Sequence, residues 1–208
     1  METSEAGRRD FLRRAAIGGA ALTIGPAVLP VRELIAPAVA QDAEPELADD
    51  DLAAFAESIE LAAAQLHRQA AAGGEVASAA AVEASISFAA HHEEHARAFA
   101  AAAGAKATHQ PNPRLAQVAG DQIRDARDEA AVLRILFDLE NAAASSHLFA
   151  LGEFESPDAV RLSASVMPVE SQHAVALGSA MGLPLDRVIP EFETQDRRID
   201  PAQFPVEA

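Results

Sequence analysis

Cysteine, tryptophan and tyrosine are all absent from the 208-residue chain. Without cysteine there are no disulfides, no thiolate metal sites, no cysteine nucleophile and no lipoprotein anchor. Without tyrosine or tryptophan, tyrosyl-radical chemistry and hole transfer through those rings have no carrier. Lysine occurs once, at Lys106, and acids outnumber Lys plus Arg by 32 to 16, for a net charge of −16. A surface of that sign repels phosphate backbones and anionic lipid heads, so no nucleic-acid partner is expected. Beyond the first forty residues no run is long and apolar enough for a bilayer, so no stable membrane span is expected in a mature form. A Ser-His-Asp arrangement, a P-loop and a dinucleotide fingerprint are missing too.

What is present begins with Arg8-Arg9-Asp10-Phe11-Leu12-Arg13, then a weakly apolar stretch broken by Pro26 and Pro30, then Ala38-Val39-Ala40 before Gln41. This pattern resembles a twin-arginine export signal cleaved after Ala40. The resemblance implies passage through the twin-arginine translocation machinery and an extracytoplasmic location. An uncleaved anchor helix is the competing reading, weakened by the two prolines. Five arginines and four acids fall in residues 1–40, so cleavage leaves 11 basic against 28 acidic residues, a net charge of −17.

Alanine makes up about a quarter of the chain, and runs of alternating β-branched residues are lacking. Alanine is the best helix former and lets helices approach closely. Four long helices are predicted. The first runs from about Asp50 to the AAGG at 71–74, with Asp49 to Asp51 as cap and first-turn acids. The second runs from about Glu75 to Ala103, the third over roughly 127–151 to Gly152, and the fourth from the Ser156 cap and Pro157 to Gly182. Between the second and third lies a long connection broken at 111–113 and expected to hold a short crossover helix. Short turns within each pair and one long crossover between pairs describe an all-α, ferritin-like four-helix bundle. The expected organisation is a signal at 1–40, a linker at 41–48, the bundle at 49–182, and an irregular, proline-punctuated tail at 183–208 packing on it.

The two helix pairs also resemble each other. "IELAAAQLH" at 59–67 lines up with "LENAAASSH" at 139–147, and "HHEEHARAFAAAAG" at 91–104 with "VESQHAVALGSAMG" at 169–182. The alignment sets Glu60 on Glu140, His67 on His147 and His95 on His173. Each of the four helices thus points ligand-type residues at an otherwise apolar core. Burying a carboxylate costs several kcal/mol unless an opposite charge answers it. A two-metal carboxylate site answers it in bundles that take one Glu from each of two helices and a Glu-x-x-His from each of the other two. Here Glu60 and Glu140 fill the single-Glu places and Glu170/His173 the complete pair. The second helix departs, with His92-x-x-His95 leaving three Glu instead of four. One ion or two would fit, and Glu93 or Glu94 can be imagined swinging in. The candidate ligands are Glu60, His92, His95, Glu140, Glu170 and His173, for a divalent metal such as iron or manganese. His67 and His147 are assigned to orienting the ligands from behind. Glu57 is placed on a solvated face with Arg68, Ser145 on the wet stripe of the third helix with Arg134, Asp138 and Asn141, and His91 toward solvent or an interface. Pro168, mid-helix, is expected to kink the chain beside Glu170. A network of Glu and protonated His pairing with each other is the reading without metal.

Signal, Glu60, HHEEH, Glu140, MPVESQH and the closing PLDRVIPEFETQ together make the chain similar to the exported ferritin-like domain proteins of actinobacteria, over essentially the whole mature length. The resemblance implies a ferritin-like fold; most such proteins have no assigned activity, so it adds little about substrate. The resulting expectation is an exported metal-binding protein with oxidase-like, peroxidase-like or metal-handling chemistry. The alternative is a non-catalytic extracytoplasmic structural or binding protein. Self-association into a homo-oligomer is left open by the sequence.

Overall fold

The computed structural model describes residues 47–206; the twin-arginine segment and most of the linker lie outside them. The described chain is all-helical: α1 (Asp49–Ala72), α2 (Ala79–Ala103), a 3-10 turn (Gly104–Lys106), α3 (Pro113–Asp125), α4 (Glu129–Glu153), α5 (Pro157–Ala180) and α6 (Leu185–Val188). Packing is densest within the α1/α2 and α4/α5 pairs, and α3 crosses over between them against α1. This is the four-helix bundle with one crossover, as in ferritin-like proteins.

Local chemistry sets the helix ends, and several differ from expectation. Ser78 caps α2 by accepting from Ala81 N–H, so the helix starts four residues later than Glu75. Residues 77 and 78 give their backbone N–H groups to Glu129 instead, each at 2.7 Å. Asp128 caps α4 from Ala131 N–H at 2.8 Å, and the helix passes through Gly152 to Glu153. Asp49 does not cap its own helix; its carboxylate accepts from Glu155 N–H and Ser156 N–H at 2.8 and 2.6 Å, tying the start of α1 to the turn before α5. Ser156 and Pro157 open α5 as expected, and it ends at Ala180, two residues short of Gly182.

Apolar side chains from every long helix meet in one core, Leu52, Leu66, Phe99, Val132 and Leu136 among the most enclosed. Each such side chain contributes roughly 1.5–3 kcal/mol on burial. Ala62, Ala63, Ala143 and Ala144 are buried between them and keep the helices close. The tail is not wholly irregular: from Pro184 at its N-cap it makes the single turn of α6. It then runs over the bundle, burying Val188, Ile199 and Phe204. Asn112 pins tail to crossover, capping α3 through Leu115 N–H at 3.1 Å while its side-chain NH2 donates to the Phe204 carbonyl at 3.0 Å. No helix among the described residues is long and apolar enough to cross a membrane.

Candidate metal centre

Four helices deliver eight polar side chains to the middle of this core. Glu60 and His67 come from α1, His92 and His95 from α2, Glu140 and His147 from α4, and Glu170 and His173 from α5. Spacings of three and seven residues put both members of each pair on one helix face. Glu60, His67, His92, Glu140 and Glu170 are fully enclosed, and His147 and His173 nearly so. His95 sits at the edge, its side chain 14% exposed.

The two halves of the site mirror each other. His147 Nε2 lies 2.7 Å from Glu60 Oε1, and His67 Nε2 lies 2.5 Å from Glu140 Oε1. Both contacts bridge α1 and α4, in opposite senses. His95 Nδ1 lies 3.4 Å from Glu60 Oε2, and His173 Nδ1 lies 3.3 Å from Glu140 Oε2. The internal repeat thus reappears as a pseudo-two-fold axis, broken where His92 faces the place of Glu170. His92 stands centrally, with Nδ1 2.7 Å from Glu60 Oε2 and Nε2 3.2 Å from Glu140 Oε1. Glu170 reaches across to His95 Nδ1 at 2.8 Å and lies 3.3 Å from His173 Nδ1, one turn along its own helix.

Charge is balanced within the cluster. Burial alone would raise the pKa of Glu60, yet the neighbouring His147, His92 and His95 imidazoles outweigh it and hold the carboxyl well below its usual range. Glu140 is likewise held well below, burial being overcome by His92, His173 and His67. Burial would lower His92, but Glu170, Glu140 and Glu60 push it well above the ordinary imidazole value. The same contest, won by Glu170 and Glu60, lifts His95 to about 9, and Glu140 and Glu170 raise His173. In His67 burial wins over Glu140 and the pKa falls.

The residues present fit a divalent cation. His95 Nδ1 and both oxygens of Glu170 are buried without a hydrogen bond, although Nδ1 is only 2.8 Å from Oε1. Short separation without hydrogen-bond geometry leaves the lone pairs of these buried atoms free for an ion. Two sets of four residues bring ligand atoms within 4.8 Å of one another: Glu60, His92, His95 and Glu170, and His92, Glu140, Glu170 and His173. Oxygen and imidazole donors of this kind suit iron, manganese or zinc.

The structure brings together all six candidate ligands, and His67 and His147 contact the carboxylates directly. Glu93 and Glu94 stay outside, paired with Arg68 and Arg97 at the surface. Glu57 is not on a solvated face. It is 1% exposed and accepts from the backbone N–H groups of Thr108 and His109 at 2.7 and 3.0 Å, so Arg68 turns to Glu93 instead. Ser145 is buried as well, off the stripe of Arg134, Asp138 and Asn141, which remain partly exposed. His91 is an exposed residue joined to the site, its Nδ1 2.9 Å from His173 Nε2 with the rings stacked. Its spacing of four from His95 was the available signal, since that places both on one side of α2. Phe88 stacks on His173 with centroids 4.0 Å apart and walls that side of the cluster.

Comparison with known proteins agrees with this geometry. A family model described as a ferritin-like domain matches residues 48–183, well over half of the chain. No curated protein and no solved structure matches.

Proposed function

We propose, from the premise that the chain belongs to the ferritin-like domain family, that its buried Glu/His cluster binds iron or manganese in an exported protein. The supporting observation is the set of buried donors without a hydrogen bond, Glu170 Oε1 and Oε2 with His95 Nδ1, among carboxylates from three helices. Ligands are drawn from Glu60, His92, His95, Glu140, Glu170 and His173. Glu60 and Glu140 each keep one oxygen on His147 or His67, which fixes the carboxylate rotamer. Such a metal, when bound, supplies redox chemistry toward oxygen or peroxide, or is itself handled as cargo. The chain's part is to hold the donors, enclose them from bulk water, and lose protons from its histidines as metal enters. With no tyrosine or tryptophan in the chain, no such ring can carry an oxidising equivalent away from the site.

A second reading, a non-catalytic bundle, has its own support: the Glu–His contacts already answer one another's charge. One experiment separates the two. Protein recovered from the exported fraction is expected to begin at Gln41, by mass spectrometry, and to carry metal in simple proportion to chain, with Glu170→Ala losing that metal. Metal-free protein whose melting is unchanged by Glu170→Ala would leave the non-catalytic reading. An intact N-terminus on the recovered chain would remove the cleaved-signal proposal.

A further inference from the structure

The two sets of donors share His92 and Glu170, and the sharing is uneven. A carboxylate has two oxygens and can face two ions at once, whereas a neutral imidazole has one lone pair to give. His92 turns Nδ1 toward Glu60 and Nε2 toward Glu140. Whichever nitrogen binds an ion, the other carries the hydrogen and needs an acceptor. Resting on the metal reading above, we infer that His92 restricts the cluster to one tightly held divalent ion, ligated by Glu60, His92 Nδ1, His95 Nδ1 and Glu170.

Three observations choose this half. Its donor separations are 2.7 Å for Glu60 Oε2 to His92 Nδ1, 3.4 Å for Glu60 Oε2 to His95 Nδ1, 2.8 Å for His95 Nδ1 to Glu170 Oε1, and 3.7 Å for His92 Nδ1 to the other Glu170 oxygen, Oε2. Those values bracket the edge of about 3.3 Å for four ligands placed tetrahedrally at 2.0–2.1 Å from an ion. Next, His95 Nδ1, buried without a hydrogen bond, belongs to this half alone, and the similarly unbonded oxygens of Glu170 are shared between the two. Finally, Glu140 in the other half carries three hydrogen bonds, from His67 at 2.5 Å, His92 at 3.2 Å and His173 at 3.3 Å, against two on Glu60, from His147 and His92 at 2.7 Å each. With the ion on Nδ1, the Nε2–H of His92 donates to Glu140 Oε1, which makes Glu140 a positioning residue. Two carboxylates neutralise the divalent charge. A second ion would be left with Glu140, His173 and a share of Glu170.

The test is calorimetric titration of metal-free protein with Mn(II) under anaerobic conditions. The wild type is expected to take one Mn(II) per chain, and His92→Glu, whose new carboxylate can face both halves, to take two. Glu60→Gln is expected to weaken the first ion at least 100-fold, and Glu140→Gln about tenfold, by loosening His92. Those last two variants decide the matter if His92→Glu fails to fold. Two ions of similar affinity in the wild type would overturn the inference, as would Glu140→Gln harming binding more than Glu60→Gln. Uptake of no Mn(II) by the wild type, with none of Fe(II) either, would instead remove the metal reading on which it stands.

Discussion

His95 sits where water begins, and its charge state links the cluster to pH. Its pKa is raised from the ordinary 6.5 to about 9, burial opposing and the carboxylates of Glu170 and Glu60 prevailing. Folding therefore gains from its protonation fully below about pH 6.5, and that gain is lost as pH rises toward about 9. Glu60 and Glu140 are depressed below the ordinary 4.5, so their contribution is present above that pH and is lost as pH falls beneath it. His67, lowered by burial, resists protonation and tilts the optimum toward its upper end. Metal-free protein should thus melt highest between about pH 4.5 and 6.5 and decline on both sides. Scanning calorimetry across pH checks this. With metal bound the alkaline decline should disappear, because the ion replaces protons on the imidazoles. A melting temperature flat from pH 6 to 9 without metal would contradict the assignment. At this scale the sequence was informative where a residue's partner lay on the expected inward face. It was silent where the partner was backbone: nothing near Glu57 announces that amides fifty residues away will claim it.

At the scale of the element, α4, α5 and α6 meet at Gly178. A Cβ there would stand 2.8 Å from Val188 Cγ2 and 3.0 Å from Phe137 Cε2, so only glycine lets the tail helix and α4 close on α5. Gly178→Ala should gain up to about 1 kcal/mol in helix propensity and lose more to overpacking, a net destabilisation of about 1 kcal/mol in urea unfolding. A stabilised variant would show that Val188 yields easily. Helix existence was legible from alanine content and from Gly and Pro punctuation; helix ends were less so. Ser78 and Glu75 are both plausible starts for α2, and the choice is made by Glu129, which captures the amides of residues 77 and 78 from another helix. Asp49 is a first-turn acid of α1 as its sequence suggests, but it caps nothing there, because its carboxylate serves the turn at 155–156. Pro168 lies inside α5 as anticipated, two residues before Glu170.

For the molecule as a whole, the crossover decides whether the two hairpins register. Glu57 anchors it through Thr108 and His109, and Asn112 adds its backbone N–H to the Ser58 carbonyl at 2.7 Å. Glu57→Ala should cost about 1–3 kcal/mol, and amide exchange over residues 104–112 should quicken while the helices stay protected. Uniformly faster exchange would mean that the anchor serves the entire bundle. The global plan was readable because the two halves repeat: Glu60, His67 and His95 have counterparts at Glu140, His147 and His173, and low-complexity alanine cannot align those by itself. The pseudo-axis relating them has one exception, His92 opposite Glu170. Were the halves separate, identical chains pairing about a true dyad, any replacement at that position would occur twice, giving two imidazoles or two carboxylates. Two halves carried on one chain escape that constraint, so continuity of the polypeptide is what permits a lopsided interior here.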